Sequence, residues 1–218
     1  MQWKLRRGLY FAADTSLLDE REICSVTRAA LEGGVVLVQL RAKALAPADV
    51  ARMARELTGI CEPFGVPLLV NDLPEVAAEA GAPGVHVGQE DVSVAAARRI
   101  LGPEALIGAT TPTPEAVRRA EAEGADYVSA GPMFRSPTKP EKPVAGPDLA
   151  RRLRPLTELP LCVIGGITAG NVAELAGCGV DLVCVISAIA AAEDPRRATE
   201  EIIAAMRAAG VASEGQSP

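Results

Sequence analysis

The sequence predicts a (β/α)8 TIM barrel in a single domain. Three observations point there: eight short apolar runs, helical patterns between them, and a 218-residue chain that holds eight such units with little added. An open doubly wound sheet is the runner-up, because it needs fewer strands.

The strand candidates, in order, are GLYFAA (8–13), VVLVQLR (35–41), VPLLVN (66–71), PGVHVG (83–88), ALIGAT (105–110), DYVSAG (126–131), LCVIGG (161–166) and DLVCVIS (181–187). Segments such as DVARMARELTGICE and PEAVRRAEAEGA lie between them and show helical spacing. Their starts follow Pro, Asp or Ser, and several end near Gly, as capping requires. The catalytic domain is expected over 1–210, with VASEGQSP (211–218) as a mobile tail. The longest irregular piece, GPMFRSPTKPEKPVAGP (131–147), is expected to be a functional lid.

A hydrophobic content of 49% with 23% charged residues describes a soluble globular chain. The net charge of −6 and the lack of a basic stripe argue against nucleic-acid binding. No apolar run approaches membrane-spanning length and no secretory pattern follows the N-terminus, so the cytoplasm is the expected compartment. Five scattered cysteines without a CxxC pair speak against structural zinc or a disulfide framework, and Cys162 and Cys184 read as core. Oligomeric state stays open, a homo-oligomer included.

Barrel enzymes build their sites at the C-terminal strand ends. In VQLRAK, alternation puts Gln39, Arg41 and Lys43 on one face and turns Val36, Val38 and Leu40 toward the helices. An amide and two cations suit a polyanion such as phosphate, and the competing reading is a strand end closed by a salt bridge. Asp72 ends the third run and Asp91 follows the fourth, so neighbouring strands could bring them to one Mg2+. The competing reading is helix capping. Gly165 and Gly166 after the seventh run let an anion approach backbone N–H groups, or else make a tight turn. The segment SPTK (136–139) adds hydroxyls and Lys139 for closing over phosphate, and Thr110 and Thr111 add hydroxyls after the fifth run. His86, the one histidine, points into the barrel mouth by alternation, and the polar cluster Gln89, Glu90, Asp91 follows it. His86 and Gln89 are expected to line the site, with no nucleophile triad.

Together, VQLRAK, VND, GVHVGQED, GPMFRSPTK, VIGGI and VISAI resemble the thiamine-phosphate synthase family, in order and over nearly the whole chain. The resemblance implies a TIM-barrel transferase that joins hydroxymethylpyrimidine diphosphate to a thiazole phosphate and releases pyrophosphate. It implies that Gln39, Arg41, Lys43, Asn71, Thr110 and Lys139 bind the pyrimidine diphosphate, with Arg41, Lys43 and Lys139 stabilising the leaving group. Asp72 and Asp91 would hold Mg2+, and Ser136, Thr138, Gly166, Ile186 and Ser187 the thiazole phosphate. The partners implied are small phosphorylated substrates, with neither nucleic acid nor membrane. Departures are Leu73 where the family reads NDR, Thr110 for a serine, and Pro137 in SPTK for TSTK. Two rivals remain: a thiazole tautomerase, which uses a histidine where this chain has TTPT, and a non-catalytic binder of thiamine intermediates.

Overall fold

The computed structural model describes residues 3–136 and 143–212. Eight parallel strands close into a barrel in sequence order: β1 (Gly8–Asp14), β2 (Leu37–Arg41), β3 (Leu68–Asn71), β4 (Gly84–Val87), β5 (Leu106–Thr110), β6 (Tyr127–Ala130), β7 (Leu161–Ile164) and β8 (Leu182–Val185). All eight expected runs form strands; β1 extends one residue further, to Asp14, and the others are trimmed at their ends.

Helices α1 (Glu20–Gly33), α2 (Pro47–Cys61), α3 (Pro74–Ala80), α4 (Val94–Leu101), α5 (Pro114–Ala122) and α6 (Pro147–Leu153) alternate with the first six strands. A 3-10 turn (Val172–Leu175) follows β7, and α7 (Ser187–Ala190) and α8 (Pro195–Ala208) follow β8. The caps explain the starts: Asp19 forms a capping box with Glu22 on α1, and Asp194 accepts from Arg197 N on α8. Val211 and Ala212, past α8, are buried.

Strand alternation divides the apolar residues into two layers. Val38, Leu40, Val70, Val85, Ile107, Val128, Val163 and Val183 face the helices. Tyr10, Leu37, Leu69, Leu106, Tyr127, Cys162, Leu182 and Cys184 fill the barrel interior, and the cysteines are free thiols. One expectation fails: Val36 precedes β2 and packs against the interior cluster, not the helices. Gly108 makes the interior possible, since a Cβ there would lie 2.1 Å from the Tyr127 ring.

The N-terminal face is closed by structural ion pairs. Arg154 and Arg7 meet Asp181 at 2.9 and 2.7 Å, and Arg98 meets Asp126 at 2.7 Å. The opposite face, where the strands end, carries the remaining chemistry.

Candidate active site

Parallel register places the ends of β1 and β2 side by side, with Asp14 opposite Arg41. The Arg41 guanidinium donates to Asp14, a buried carboxylate whose other oxygen accepts from Ser16 N at 2.9 Å. Lys43 lies beyond the end of β2, so it does not share an extended face with Gln39 and Arg41. Its ammonium reaches Asp72 at 2.7 Å. The salt-bridge reading of this strand end is therefore realised for both cations. Asp14 is a site residue that sequence reasoning missed; its only signal was an acid ending an apolar run.

Neither Asp72 nor Asp91 caps a helix. The residue before α3 is Leu73, which makes no side-chain cap, and α4 is capped by Ser93. Asp72 instead adopts a left-handed backbone with φ 66°, unusual for a residue with a Cβ, and its N–H donates to His86 O at 2.8 Å. Asp91 folds back to accept from Gly88 N at 2.8 Å. Partial desolvation and the adjacent Asp72 carboxyl, which shares a hydrogen bond with it, raise the Asp91 pKa; the Gly88 N–H and Lys43 oppose the rise.

At this rim two cations face three carboxylates, Asp14, Asp72 and Asp91. A polyanion bound here needs more positive charge than Arg41 and Lys43 supply. No group of three or more His, Cys, Asp or Glu placed to hold one metal ion occurs among the described residues. Two neighbouring carboxylates fit Mg2+, which takes one or two from protein and completes its shell with water and phosphate oxygen.

Inside the rim, polar side chains form a continuous chain across the barrel. Gln39 Nε2 donates to the Tyr10 hydroxyl, which lies 3.2 Å from the Tyr127 hydroxyl. Tyr127 meets His86 Nδ1 at 2.8 Å, and His86 Nε2 meets Thr110 Oγ1 at 3.0 Å. Burial pushes the His86 pKa down to about 4, with Asp72 partly opposing, so the ring is neutral near pH 7. Gln89 spans outside this chain: its amide donates to the Thr110 carbonyl and accepts from Arg119 at 3.0 Å. Thr111 is spent elsewhere, fully buried with its hydroxyl 3.4 Å from the Ser129 carbonyl. Asn71 ends β3 in register with His86. In sequence, Tyr10 and Tyr127 are only members of apolar strand runs; their hydroxyl pairing spans 117 positions and leaves no local signal.

The β7 and β8 ends form the other side of the mouth. Gly165 and Gly166 have φ of 105° and 64°, and a Cβ on Gly166 would lie 2.4 Å from the Arg135 carbonyl oxygen. The segment after β6 lies across this turn, with Met133 N on Ile164 O at 3.0 Å and Phe134 N on Gly165 O at 2.9 Å. Turn geometry and close packing thus account for both glycines without a ligand. Asn171 braces the turn by donating to Gly166 O at 2.8 Å. Ile186 precedes α7 and packs on the interior cluster, and Ser187 opens that helix. Ser136 is half-buried at the end of the described part of the β6–α6 loop; Pro137, Thr138 and Lys139 lie outside the described residues.

Residues 9–189 match the family model described as thiamine monophosphate synthase. A thiamine-phosphate synthase of Natronomonas pharaonis is 39% identical over 198 residues, covering 89% of this chain and 92% of the relative. One of Albidiferax ferrireducens is 42% identical over 188 residues, 86% of each. The solved structure of thiamine phosphate pyrophosphorylase from Pyrococcus furiosus superposes with a TM-score of 0.84 at 33% identity, over 95% of this chain and 98% of that one. By the extent and identity of these matches, this chain belongs to the thiamine monophosphate synthase family of transferases.

Proposed function

We propose that this enzyme condenses 4-amino-2-methyl-5-hydroxymethylpyrimidine diphosphate with a thiazole phosphate, giving thiamine phosphate and pyrophosphate with the help of Mg2+. The observation that carries the reading is the rim of β1–β4, where Arg41 meets Asp14 and Lys43 meets Asp72 beside the adjacent Asp91 carboxyl, in a chain of this family. Asp72 and Asp91 would hold the cation. When bound, Mg2+ supplies Lewis-acid neutralisation of charge on the departing diphosphate.

Bond changes are simple. The C–O bond between the pyrimidine methylene and the diphosphate breaks, and its electron pair leaves with pyrophosphate. The thiazole nitrogen lone pair then forms the new C–N bond. The electron-rich aminopyrimidine carries the positive charge between these events, so no protein nucleophile is needed. Arg41 and Lys43 stabilise the charge that grows on the leaving oxygens, with Lys139 assigned to the same task from the β6–α6 loop. Asp14 holds the Arg41 guanidinium in place. Gln39, Asn71 and Thr110 are assigned to the pyrimidine diphosphate. The backbone at Gly166, Ile186 and Ser187, with Ser136 and Thr138, is assigned to the thiazole phosphate. Holding both substrates in reacting geometry supplies much of the remaining acceleration.

Incubation with both phosphorylated precursors and Mg2+ tests the proposal. Thiamine phosphate and pyrophosphate should appear in equal amounts, and omission of either precursor or chelation of the metal should stop both. No product at saturating substrates and Mg2+ would overturn it.

A further inference from the structure

The polar chain inside the barrel joins residues from five strands: Gln39 on β2, Tyr10 on β1, Tyr127 on β6, His86 on β4 and Thr110 on β5. Its middle is buried among Leu37, Leu69, Leu106 and Leu182, with Tyr10 2% and Tyr127 0% exposed. Hydroxyl groups in such surroundings must be paired. Ring packing holds them: Tyr127 stacks on His86 at 5.5 Å between centroids and meets Tyr10 edge-on at 6.3 Å.

Proton inventory assigns the chain a direction. Gln39 gives an N–H to Tyr10, so Tyr10 is free to give its one hydrogen to Tyr127. Tyr127 then gives its hydrogen to His86 Nδ1, and a ring that accepts at Nδ1 carries its proton on Nε2, facing Thr110. Thr110 accepts from the histidine and keeps its own hydroxyl hydrogen to give. The opposite direction would bring two hydrogens to Tyr10 and leave its own hydrogen without a partner in this chain, at a cost in the apolar interior.

With one Nε2 hydrogen committed inward, the Gln39 amide is held in the orientation that leaves its acceptor oxygen, beside the second N–H, for the mouth. One wall therefore offers an acceptor and another, at β5, offers a donor. We propose that Tyr10 and Tyr127, through His86, are positioning residues that fix Gln39 as acceptor and Thr110 as donor, so that the mouth selects a nitrogen heterocycle bearing an exocyclic amine. This rests on the proposed pyrimidine substrate and deepens it. The amine N–H would meet Gln39 and a ring nitrogen would meet Thr110.

Tyr127→Phe removes the linking oxygen and keeps the ring. KM for the aminopyrimidine diphosphate should rise about tenfold, equivalent to roughly 1.4 kcal/mol. KM for the thiazole phosphate, and inhibition by inorganic pyrophosphate, which has no ring to orient, should stay unchanged. Tyr10→Phe should show the same split. Losses shared by all three measurements, or no loss in any, would overturn the proposal. Because the chain holds a single histidine, 15N NMR of the unmodified enzyme gives a test independent of variant folding. A pyridine-type Nδ1 and a pyrrole-type Nε2 are expected, and the reverse tautomer would overturn the assignment. If wild-type enzyme forms no thiamine phosphate, the substrate reading fails by itself; the NMR tautomer still judges the chain's direction.

Discussion

Arg41 and Lys43 each end on a carboxylate from a neighbouring strand, and this arrangement explains why cations can stand ready without a ligand. Arg41→Ala should raise KM for the pyrimidine diphosphate by about a hundredfold, the loss of one charge-assisted contact of 2–3 kcal/mol, with KM for the thiazole phosphate nearly unchanged. Steady-state kinetics in both substrates would show it, and equal losses would contradict the division of the site. Gly88 matters for the same rim. A Cβ there would lie 2.5 Å from the Asp91 carboxylate, which can swing away without disturbing the fold. Gly88→Ala should therefore leave the melting temperature close to wild type. The Mg2+ concentration for half-maximal activity should rise roughly tenfold or more, and an unchanged metal titration would argue against Asp91 as a ligand. His86 titrates in isolation as the only histidine, and in the metal-free enzyme its NMR midpoint should fall near 4 and not near the ordinary 6.5. The sign follows from linkage: below pH 6.5 the unfolded chain takes up a proton that the native ring refuses, so this group costs stability as pH falls toward 4.

At the scale of elements, the eight strands were readable because each is a short apolar run bounded by turn residues, and fully buried parallel strands have that pattern. The helices were readable from their spacing and caps. What could not be read was which strand-end acids serve the helices, since an aspartate before a helix looks the same as a cap or as a ligand. Leu73 and Ser93 at the starts of α3 and α4 decide that question in three dimensions. The glycines after β7 illustrate the converse. Their left-handed backbone and the segment lying across them already require glycine, whatever binds there. Gly166→Ala should cost about 1–3 kcal/mol through backbone strain and displacement of the Arg135 carbonyl. It should also raise KM for the thiazole phosphate more than KM for the diphosphate. Thermal melts and kinetics together check this, and an unchanged thiazole KM would remove the turn from that subsite.

The whole molecule separates stability from chemistry along the barrel axis. At the N-terminal face, Arg98 and Arg154 each spread over several backbone carbonyls as well as an aspartate, as permanent struts do. At the C-terminal face, Arg41 and Lys43 meet carboxylates at the mouth, and Asp72 sits in a strained backbone conformation. Sequence motifs located this face because polarity changes abruptly at each strand end, as in GVHVGQED. They could not reveal Asp14 or the Tyr10–Tyr127 pair, because those contacts depend on barrel register and closure. Thiamine phosphate formation is assigned to the β2–β4 rim. Its most direct measurement is a parallel assay of thiamine phosphate formation by wild-type enzyme and Asp91→Asn, with both precursors and Mg2+ saturating and folding checked by circular dichroism. Product and equimolar pyrophosphate are expected from the wild type, and turnover about a hundredfold lower or worse from an equally folded variant. No product from the wild type, or equal turnover by Asp91→Asn, would contradict it.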